Sequence, residues 1–189
     1  MAKLTLPVGD RDHAQGPASA LVTLVEYGDY ECPHCGAAYP VVKKLQEQMG
    51  RNLRFIFRNF PLSSMHPHAE HAAEAAEAAA AQHKFWEMHD WIFEHQETIE
   101  DPDLLDGGKS LGLDVGKLTK DIQSQSFLSR VMEDFQSGVR SGVNGTPTFF
   151  INGVRHERGP SYEELHAGLL AAAGKGESRP PYSPQTRSW

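Results

Sequence analysis

The first third of the chain alternates between short apolar runs and a segment with helical spacing. Leu21–Tyr27 is β-branched and almost continuously apolar, which predicts a buried strand with parallel neighbours. Leu53–Phe60 has the same character and predicts a second strand. Between them, Ala37–Met49 carries apolar residues at spacings of three and four, which predicts an amphipathic helix. Pro33 suits the first turn of that helix, and Pro40 is expected to kink it.

The middle of the chain, residues 66–141, has a different pattern. Ala and Glu dominate positions 69–81, and His83–His95 carries a broad apolar face, so both stretches predict helices. Three shorter helices are predicted at Pro102–Leu111, Val115–Ser124 and Phe127–Ser141. We therefore predict a helical block between two regions that contain strands.

Strand patterns return after this block. Thr148–Ile151 and Val154–His156 are short runs rich in β-formers. They flank the dipeptide Asn152-Gly153, which is typical of the tight turn of a β-hairpin. The chain is therefore expected to add a hairpin to the sheet after its helical block.

The two ends of the chain are less regular. Residues 1–20 are rich in Pro, Gly and Asp, and they predict an arm with a short strand at Lys3–Leu6. A capping-box pattern at Ser161–Glu164 begins a helix that is predicted to end at Ala173. Pro, Gly and Ser are frequent from residue 174 onwards, which predicts a flexible tail.

Composition and charge narrow the classes of function. The 189 residues contain 18 basic and 25 acidic side chains, which gives a net charge of −7 and a pI near 5.8. This balance argues against a general nucleic-acid binder, because such a protein needs a basic face. No apolar run approaches the ~18 residues of a membrane span, and the N-terminal residues lack the apolar region of a signal peptide. We therefore expect a cytoplasmic protein without a membrane span, although a periplasmic protein whose leader had been removed would have the same sequence.

The chain has only two cysteines, and both lie in Cys32-Pro33-His34-Cys35, after the first predicted strand. A bond between them would close too short a loop to stabilise the fold much, which leaves redox chemistry or metal binding. At the start of a helix, unpaired backbone N–H groups stabilise a thiolate. We therefore predict that Cys32 is the exposed, low-pKa nucleophile and that Cys35 is the buried thiol that closes on it. Pro33 would stiffen the turn, and the dipole or charge of His34 would further favour the thiolate of Cys32.

Metal binding is the main alternative for the cysteine pair. A zinc site takes about four ligands, and the chain has no second cysteine pair. His66, His68 and His71 could in principle join the cysteines, but His66-Pro67-His68 has the character of a solvated loop that leads into a helix. We therefore predict no metal ion, and no motif indicates another cofactor.

Two separated motifs carry a resemblance to a known family. One is Cys32-Pro33-His34-Cys35 after a strand, and the other is Gly145-Thr146-Pro147-Thr148-Phe149, more than a hundred residues later. The helical block, with Phe85-Trp86-Glu87-Met88-His89 at the start of a helix, matches an insertion of one subfamily. Over about residues 20–173 the chain resembles the DsbA-like thiol:disulfide oxidoreductases of the thioredoxin superfamily.

The resemblance implies an α/β protein with a thioredoxin fold and an inserted helical domain. Residues 1–65 and 142–175 would form the thioredoxin-like domain, and residues 66–141 the insertion. Residues 176–189 would be a flexible C-terminal tail.

The resemblance also implies roles for residues outside the cysteine motif. Pro147 would be a cis-proline that faces the cysteines, and the backbone of Thr146 would pair with a bound substrate strand. Glu26 matches an acidic residue that lies beneath the active site in the family. Arg58, on the next predicted strand, is the candidate charge partner of Glu26.

The implied function is disulfide exchange with protein thiols. Cys32 would form a mixed disulfide, Cys35 would resolve it, and a redox partner that the sequence does not identify would recycle the protein. Thr146 resembles isomerases as much as DsbA, so oxidation, reduction and isomerisation all stay open. A chaperone-type binding module is a second reading. A kappa-type glutathione transferase is a third, but the complete Cys-x-x-Cys motif argues against it.

Overall fold

A computed structural model describes residues 2–176 of the chain, and the side chains as far as residue 174. Its centre is a five-stranded sheet in the order β1-β3-β2-β4-β5. The strands are β1 (His13–Gln15), β2 (Val22–Gly28), β3 (Leu53–Asn59), β4 (Thr148–Ile151) and β5 (Val154–Arg155). β2 and β3 run parallel, whereas the other neighbouring pairs are antiparallel.

Seven helices accompany the sheet within the described part of the chain. They are α1 (Pro33–Met49), α2 (Ala69–Ala80), α3 (Phe85–Glu94), α4 (Asp101–Ser110), α5 (Val115–Gln123), α6 (Leu128–Arg140) and α7 (Tyr162–Gly176). α1 connects β2 to β3, and a single turn of 3-10 helix at Gly50–Asn52 follows it. α2 to α6 all lie between β3 and β4, in a stretch that we call the helical segment (residues 60–141). The predicted α/β class is therefore confirmed.

β2 occupies the centre of the sheet and is buried on both faces. Leu24 and Phe55 belong to the larger apolar cluster, whereas Val25 and Ile56 belong to a smaller one. Successive side chains of a strand point to opposite faces, so a strand that is covered on both faces must be apolar at nearly every position. This burial explains the mostly apolar run from Val22 to Tyr27, whereas Leu21 lies before the strand and is exposed.

The helical segment meets the sheet through α6, which packs on β3, and its own helices pack around the small side chains of α2. α2 contacts α3, α4, α5 and α6, and its alanines are almost wholly buried. Alanine lets neighbouring helices approach closely, and it is also the strongest helix former. The bounds of the predicted inserted domain, residues 66–141, stay a prediction, although α2 to α6 lie inside them.

The structure differs from the predicted elements at the two ends. The predicted strand at Lys3–Leu6 is not a strand, because only Lys3 forms an isolated bridge, with Val154. The first strand is instead His13–Gln15, which pairs with β3. That strand is too short and too polar to show an alternating pattern.

Helix boundaries also differ slightly from the predicted ones. α1 begins at Pro33, and it continues through Pro40 to Met49. α7 runs to Gly176, past the predicted end at Ala173. Most of the predicted tail, residues 177–189, lies outside the described residues. No helix within residues 2–176 combines the length and the apolar character that crossing a membrane requires.

Candidate redox site

The two cysteines lie at the N-terminus of α1, where the chain leaves β2. Cys32 is the N-cap residue, with extended backbone angles, and Cys35 lies in the first turn. Both are free thiols; Cys35 is 0% exposed and Cys32 is 4% exposed. Cys32 is thus the more accessible thiol, but it is not the exposed one that the sequence predicted. Thr146 lies against it, with the thiol of Cys32 3.4 Å from the Thr146 carbonyl oxygen.

The surroundings of Cys32 favour its thiolate. Its pKa is lowered from 9.0 to about 5, chiefly because the thiol of Cys35 donates a hydrogen bond to its sulfur, and this outweighs the opposing effect of burial. The side chain of Thr146 and the backbone N–H groups of Cys35 and His34 lower the pKa of Cys32 further. The Thr146 hydroxyl is buried and has no hydrogen-bond partner among residues 2–176, so it is available to the Cys32 thiolate.

Cys35 has the opposite electrostatic environment. Burial raises its pKa well above the ordinary value of 9.0, and its hydrogen bond to Cys32 and the negative charge of Glu26 act in the same direction. The backbone N–H of Asp29 donates to its sulfur over 3.4 Å, which offsets this only in part. One turn of helix therefore separates a thiol that ionises readily from one that keeps its proton.

His34 acts on Cys32 through its backbone. Its side chain is exposed, and its peptide N–H is one of the groups that lower the pKa of Cys32. The predicted effect of the imidazole dipole or charge stays a prediction. Pro33, at the first helical position, has no N–H to offer.

The loop before β4 supplies the other side of the site. The peptide bond between Thr146 and Pro147 is cis. The hydroxyl of Thr148 donates to the carbonyl oxygen of Gly145 over 2.7 Å, which closes this loop on itself. The loop thereby brings the carbonyl of Thr146 to Cys32, from 114 residues away in the sequence.

Glu26 lies on β2 and is 3% exposed. Burial raises its pKa from 4.5 to about 8, and the thiolate charge of Cys32 adds to this shift. At neutral pH the carboxyl group is therefore largely protonated. Because its charge also acts on Cys35, Glu26 is electrostatically linked to both sulfurs of the motif.

The predicted pairing of Glu26 with Arg58 is wrong. Across the β2–β3 pair, Glu26 is opposite Phe57, and Arg58 is opposite Tyr27. Since neighbouring residues of a strand face opposite sides, Arg58 points to the other face of the sheet from Glu26. There it forms an ion pair with Asp12, with nitrogen–oxygen distances of 2.7 and 3.0 Å.

Asp29 is a site residue that the sequence reasoning missed. It is 1% exposed, and its Oδ1 accepts hydrogen bonds from the backbone N–H groups of Glu31 and Cys32. Its Oδ2 accepts from the N–H of Leu62 and lies 2.8 Å from Nδ1 of His66. An Asp three residues before a helix-capping cysteine is a signal for such a turn, since Asp side chains often bind the backbone ahead of them.

The histidines considered as metal ligands have other contacts. His66 lies against Asp29, and His71 lies 2.7 Å from Asp101. Within residues 2–176, no group of His, Cys, Asp and Glu side chains is arranged to hold a metal ion.

Comparison with known proteins places this site in a family. The family profile described as thioredoxin matches residues 9–170. The chain belongs to the thioredoxin family. This match includes both cysteines and the Thr146-Pro147 loop, so the site described above is part of the thioredoxin-family region.

Solved structures of similar fold confirm the predicted thioredoxin architecture. BdbD from Bacillus subtilis, in its oxidised form, superposes with a TM-score of 0.81 and 24% identity, over 92% of this chain and 98% of that one. Wolbachia pipientis alpha-DsbA1 gives a TM-score of 0.77 and 20% identity, over 92% and 96% of the two chains. This thioredoxin-family chain therefore has the fold of DsbA-like proteins, and the superposed length includes its helical segment.

Relatives of higher identity are much longer proteins. The chain is 43% identical over 178 residues to a protein named Na(+)/H(+) antiporter NhaA 3 from Salinispora tropica, which is 94% of this chain and 27% of that protein. A protein named Na(+)/H(+) antiporter NhaA 1 from Salinispora arenicola is 44% identical over the same shares. The chain thus spans about a quarter of the length of these relatives.

Proposed function

We propose that this protein exchanges disulfides with protein thiols through Cys32 and Cys35. The observation that carries the proposal is the asymmetry of the two thiols. The pKa of Cys32 is lowered to about 5, whereas that of Cys35 is raised by burial. The thiolate is the form that attacks and leaves in disulfide exchange, so only Cys32 is prepared for both roles.

In the oxidising direction, the reaction starts from the Cys32–Cys35 disulfide. A substrate thiolate attacks the sulfur of Cys32, the bond between the two cysteines breaks, and Cys35 leaves as a thiolate that takes up a proton. A second substrate thiolate then attacks the mixed disulfide and expels Cys32 as a thiolate. The substrate has lost two electrons to the protein, and a disulfide-bearing partner must take them to restore the starting form.

The reducing direction uses the same steps in reverse. The Cys32 thiolate attacks a substrate disulfide, and Cys35 must then lose its proton to attack the mixed disulfide. Glu26 is the buried carboxyl group whose pKa, about 8, suits the exchange of that proton. The surrounding redox pool sets the net direction, so isomerisation and reduction belong to the same proposal.

Substrate binding is assigned to the Thr146-Pro147 loop. The Thr146 carbonyl lies 3.4 Å from the sulfur of Cys32, so a peptide that pairs with this backbone would bring its own cysteine to the same sulfur. The proposed partners are therefore protein thiols and disulfides, together with a redox partner for recycling.

Oxidation of a synthetic peptide that carries two thiols tests the proposal. The disulfide form of the protein should oxidise the peptide stoichiometrically, and should do so catalytically when oxidised glutathione is supplied. Cys32→Ser should abolish the reaction. Cys35→Ser cannot form the internal disulfide, so it is mixed with the disulfide form of the peptide: its Cys32 thiolate should attack that disulfide, expel one peptide thiolate and accumulate as a mixed disulfide that Cys35 can no longer resolve. Turnover by Cys32→Ser at the wild-type rate would contradict the proposal.

The same variants distinguish disulfide exchange from the function of a chaperone-type binding module. Such a module binds unfolded chains through its surface, without using the cysteines. If the double variant Cys32→Ser, Cys35→Ser kept the full activity of the protein toward an unfolded substrate, binding and not exchange would be the function.

A further inference from the structure

Four consecutive residues, Asp29 to Cys32, are each bonded to the helical segment. Asp29 accepts the N–H of Leu62, and the Tyr30 hydroxyl lies 3.1 Å from Nδ1 of His89. The carboxylate of Glu31 accepts the N–H of His68 over 2.6 Å, at the start of α2. The carbonyl oxygens of Tyr30 and Cys32 both accept from the side-chain amide of Gln96. The loop that presents the nucleophile is thus held by residues of the helical segment.

Gln96 is the residue of the helical segment that bonds to the backbone of Cys32 itself. Its Nε2 donates to the Tyr30 carbonyl over 2.8 Å and to the Cys32 carbonyl over 2.9 Å. The Cys32 carbonyl also accepts the N–H groups of Cys35 and Gly36, which are the first hydrogen bonds of α1. Gln96 therefore binds the same carbonyl oxygen that accepts the first hydrogen bonds of α1.

A glycine makes room for this amide. A Cβ atom added to Gly36 would lie 2.1 Å from Oε1 of Gln96, which is far inside van der Waals contact. Gly36 lies inside α1, where a glycine costs roughly 1 kcal/mol relative to alanine. The close approach of Gln96 explains why a glycine occupies this position, although glycine is unfavourable inside a helix.

We propose that Gln96 is a positioning residue, which fixes the backbone of Cys32 from the helical segment so that the first turn of α1 presents its N–H groups to the Cys32 sulfur. The inference rests on the proposed function and names how the helical segment takes part in it. Gln96 bonds to the carbonyl of Cys32 and Tyr30, and it acts on the sulfur through the backbone alone.

The geometry gives the direction of the effect. The N–H groups of His34 and Cys35 belong to the same turn as the Cys32 carbonyl, and both lower the pKa of Cys32. Without the amide of Gln96, this turn would be less firmly held, and the donors would lie less often in line with the sulfur. The thiolate of Cys32 would then be less favoured.

The test measures the pKa of Cys32 by the ultraviolet absorbance of its thiolate in the reduced protein. Gln96→Met keeps the size of the side chain and removes the donors. It should raise the pKa of Cys32 by roughly half a unit to one unit, and lower the equilibrium constant for oxidising a dithiol by roughly three- to tenfold. Gln82→Met is the matched control, because the side-chain amide of Gln82 also makes two hydrogen bonds to backbone groups, those of Asp114, and none to residues 29–32.

Gly36→Ala offers an independent route to the same change. Its new methyl group would push the flexible amide of Gln96 aside, so we expect the same rise in the pKa of Cys32. In the double variant Gln96→Ala, Gly36→Ala, the methyl group has space, and the pKa should equal that of Gln96→Ala alone. Additive shifts would contradict the inference.

The outcomes separate this inference from the proposed function. If wild-type protein oxidises the dithiol peptide but Gln96→Met leaves the pKa of Cys32 unchanged, the positioning role is wrong and the exchange reaction stands. An equal pKa shift in Gln82→Met would show a loss of stability and no positioning, and would also overturn the inference. If wild-type protein does not exchange disulfides, the proposed function fails, whatever the value of the pKa.

Discussion

The two faces of the β2–β3 strand pair each bury an ionisable side chain, but only one of the two side chains has an ionic partner. On one face, Arg58 pairs with Asp12 and also donates to the Tyr27 hydroxyl over 2.9 Å. On the other face, Glu26 has no Arg58 beside it, and burial raises its pKa to about 8. The same sheet thus holds an arginine whose charge is paired and a carboxyl group whose pKa lies close to neutral pH.

The ion pair on one face contributes to stability, whereas the carboxyl group on the other face can take part in proton transfer. A buried ion pair with its hydrogen bonds satisfied is costly to break, but it does not need to change its protonation during a reaction. A buried carboxyl group without an ionic partner is destabilising when charged, and for that reason it can exchange a proton near neutral pH. The cysteines lie on the side of the sheet where the second arrangement is found.

Removing the ion pair between Arg58 and Asp12 should have the largest effect on stability. Arg58→Met leaves Asp12 buried without its partner, and we expect a loss of about 3–5 kcal/mol in the free energy of unfolding. The pKa of Cys32 should be unchanged, because Arg58 lies on the other face. Urea denaturation measures the first quantity, and thiolate absorbance measures the second.

An exposed pair supplies the control for this variant. Arg158 pairs with Glu164 over 3.3 Å, but its side chain is 71% exposed. Arg158→Met should therefore cost less than about 0.5 kcal/mol. A loss for Arg58→Met that is no larger than this would refute the assignment of the buried pair to stability.

Replacing Glu26 with a side chain that does not titrate should change how stability depends on pH. The pKa of Glu26 is higher in the folded protein, about 8 against 4.5, so its contribution to stability falls as the pH rises between these values. Glu26→Gln should remove this fall, and should stabilise the oxidised protein by about 1–3 kcal/mol at a pH near 8.

The oxidised protein is required for this measurement. In the reduced protein, the pKa of Cys32 is lowered from 9.0 to about 5, so the thiolate adds stability as the pH rises through the same range and masks the effect of Glu26. If the free energy of unfolding depended on pH in the same way for the oxidised wild-type protein and Glu26→Gln, the pKa of Glu26 would not be raised by folding, and this prediction would be wrong.

The smallest expected effect concerns the residue between the cysteines. His34→Ala keeps the backbone N–H that lowers the pKa of Cys32, so it should move this pKa by less than about 0.3 unit. His34→Pro removes that N–H and should raise the pKa by roughly one unit. An equally large rise in His34→Ala would restore the imidazole to the role predicted from the sequence.

The central strands, the hairpin and the redox helix could be predicted because their patterns are local. Burial on both faces makes β2 apolar throughout, and Asn152-Gly153 fixes the turn between β4 and β5. The cysteine motif is local too, since its two thiols share one turn of α1.

Contacts between distant segments could not be predicted in this way. Nothing in the sequence near Gln96 points to Cys32, which lies 64 residues away. The pairing of Arg58 with Asp12 depends on which face of β3 Arg58 occupies and on where Asp12 lies just before β1, and that short polar strand gives no pattern that would reveal it. Such contacts follow from the register of the sheet and the packing of the helical segment.

Titration of the Cys32 thiolate tests the central claim most directly. Thiolate absorbance would be recorded across pH for the reduced wild-type protein, with Cys32→Ser as the reference that contains Cys35 alone. We predict one thiolate that forms with a midpoint at a pH of about 5, and no second thiolate at neutral pH. A midpoint at or above about 8.5, the value of a free cysteine, would contradict the account.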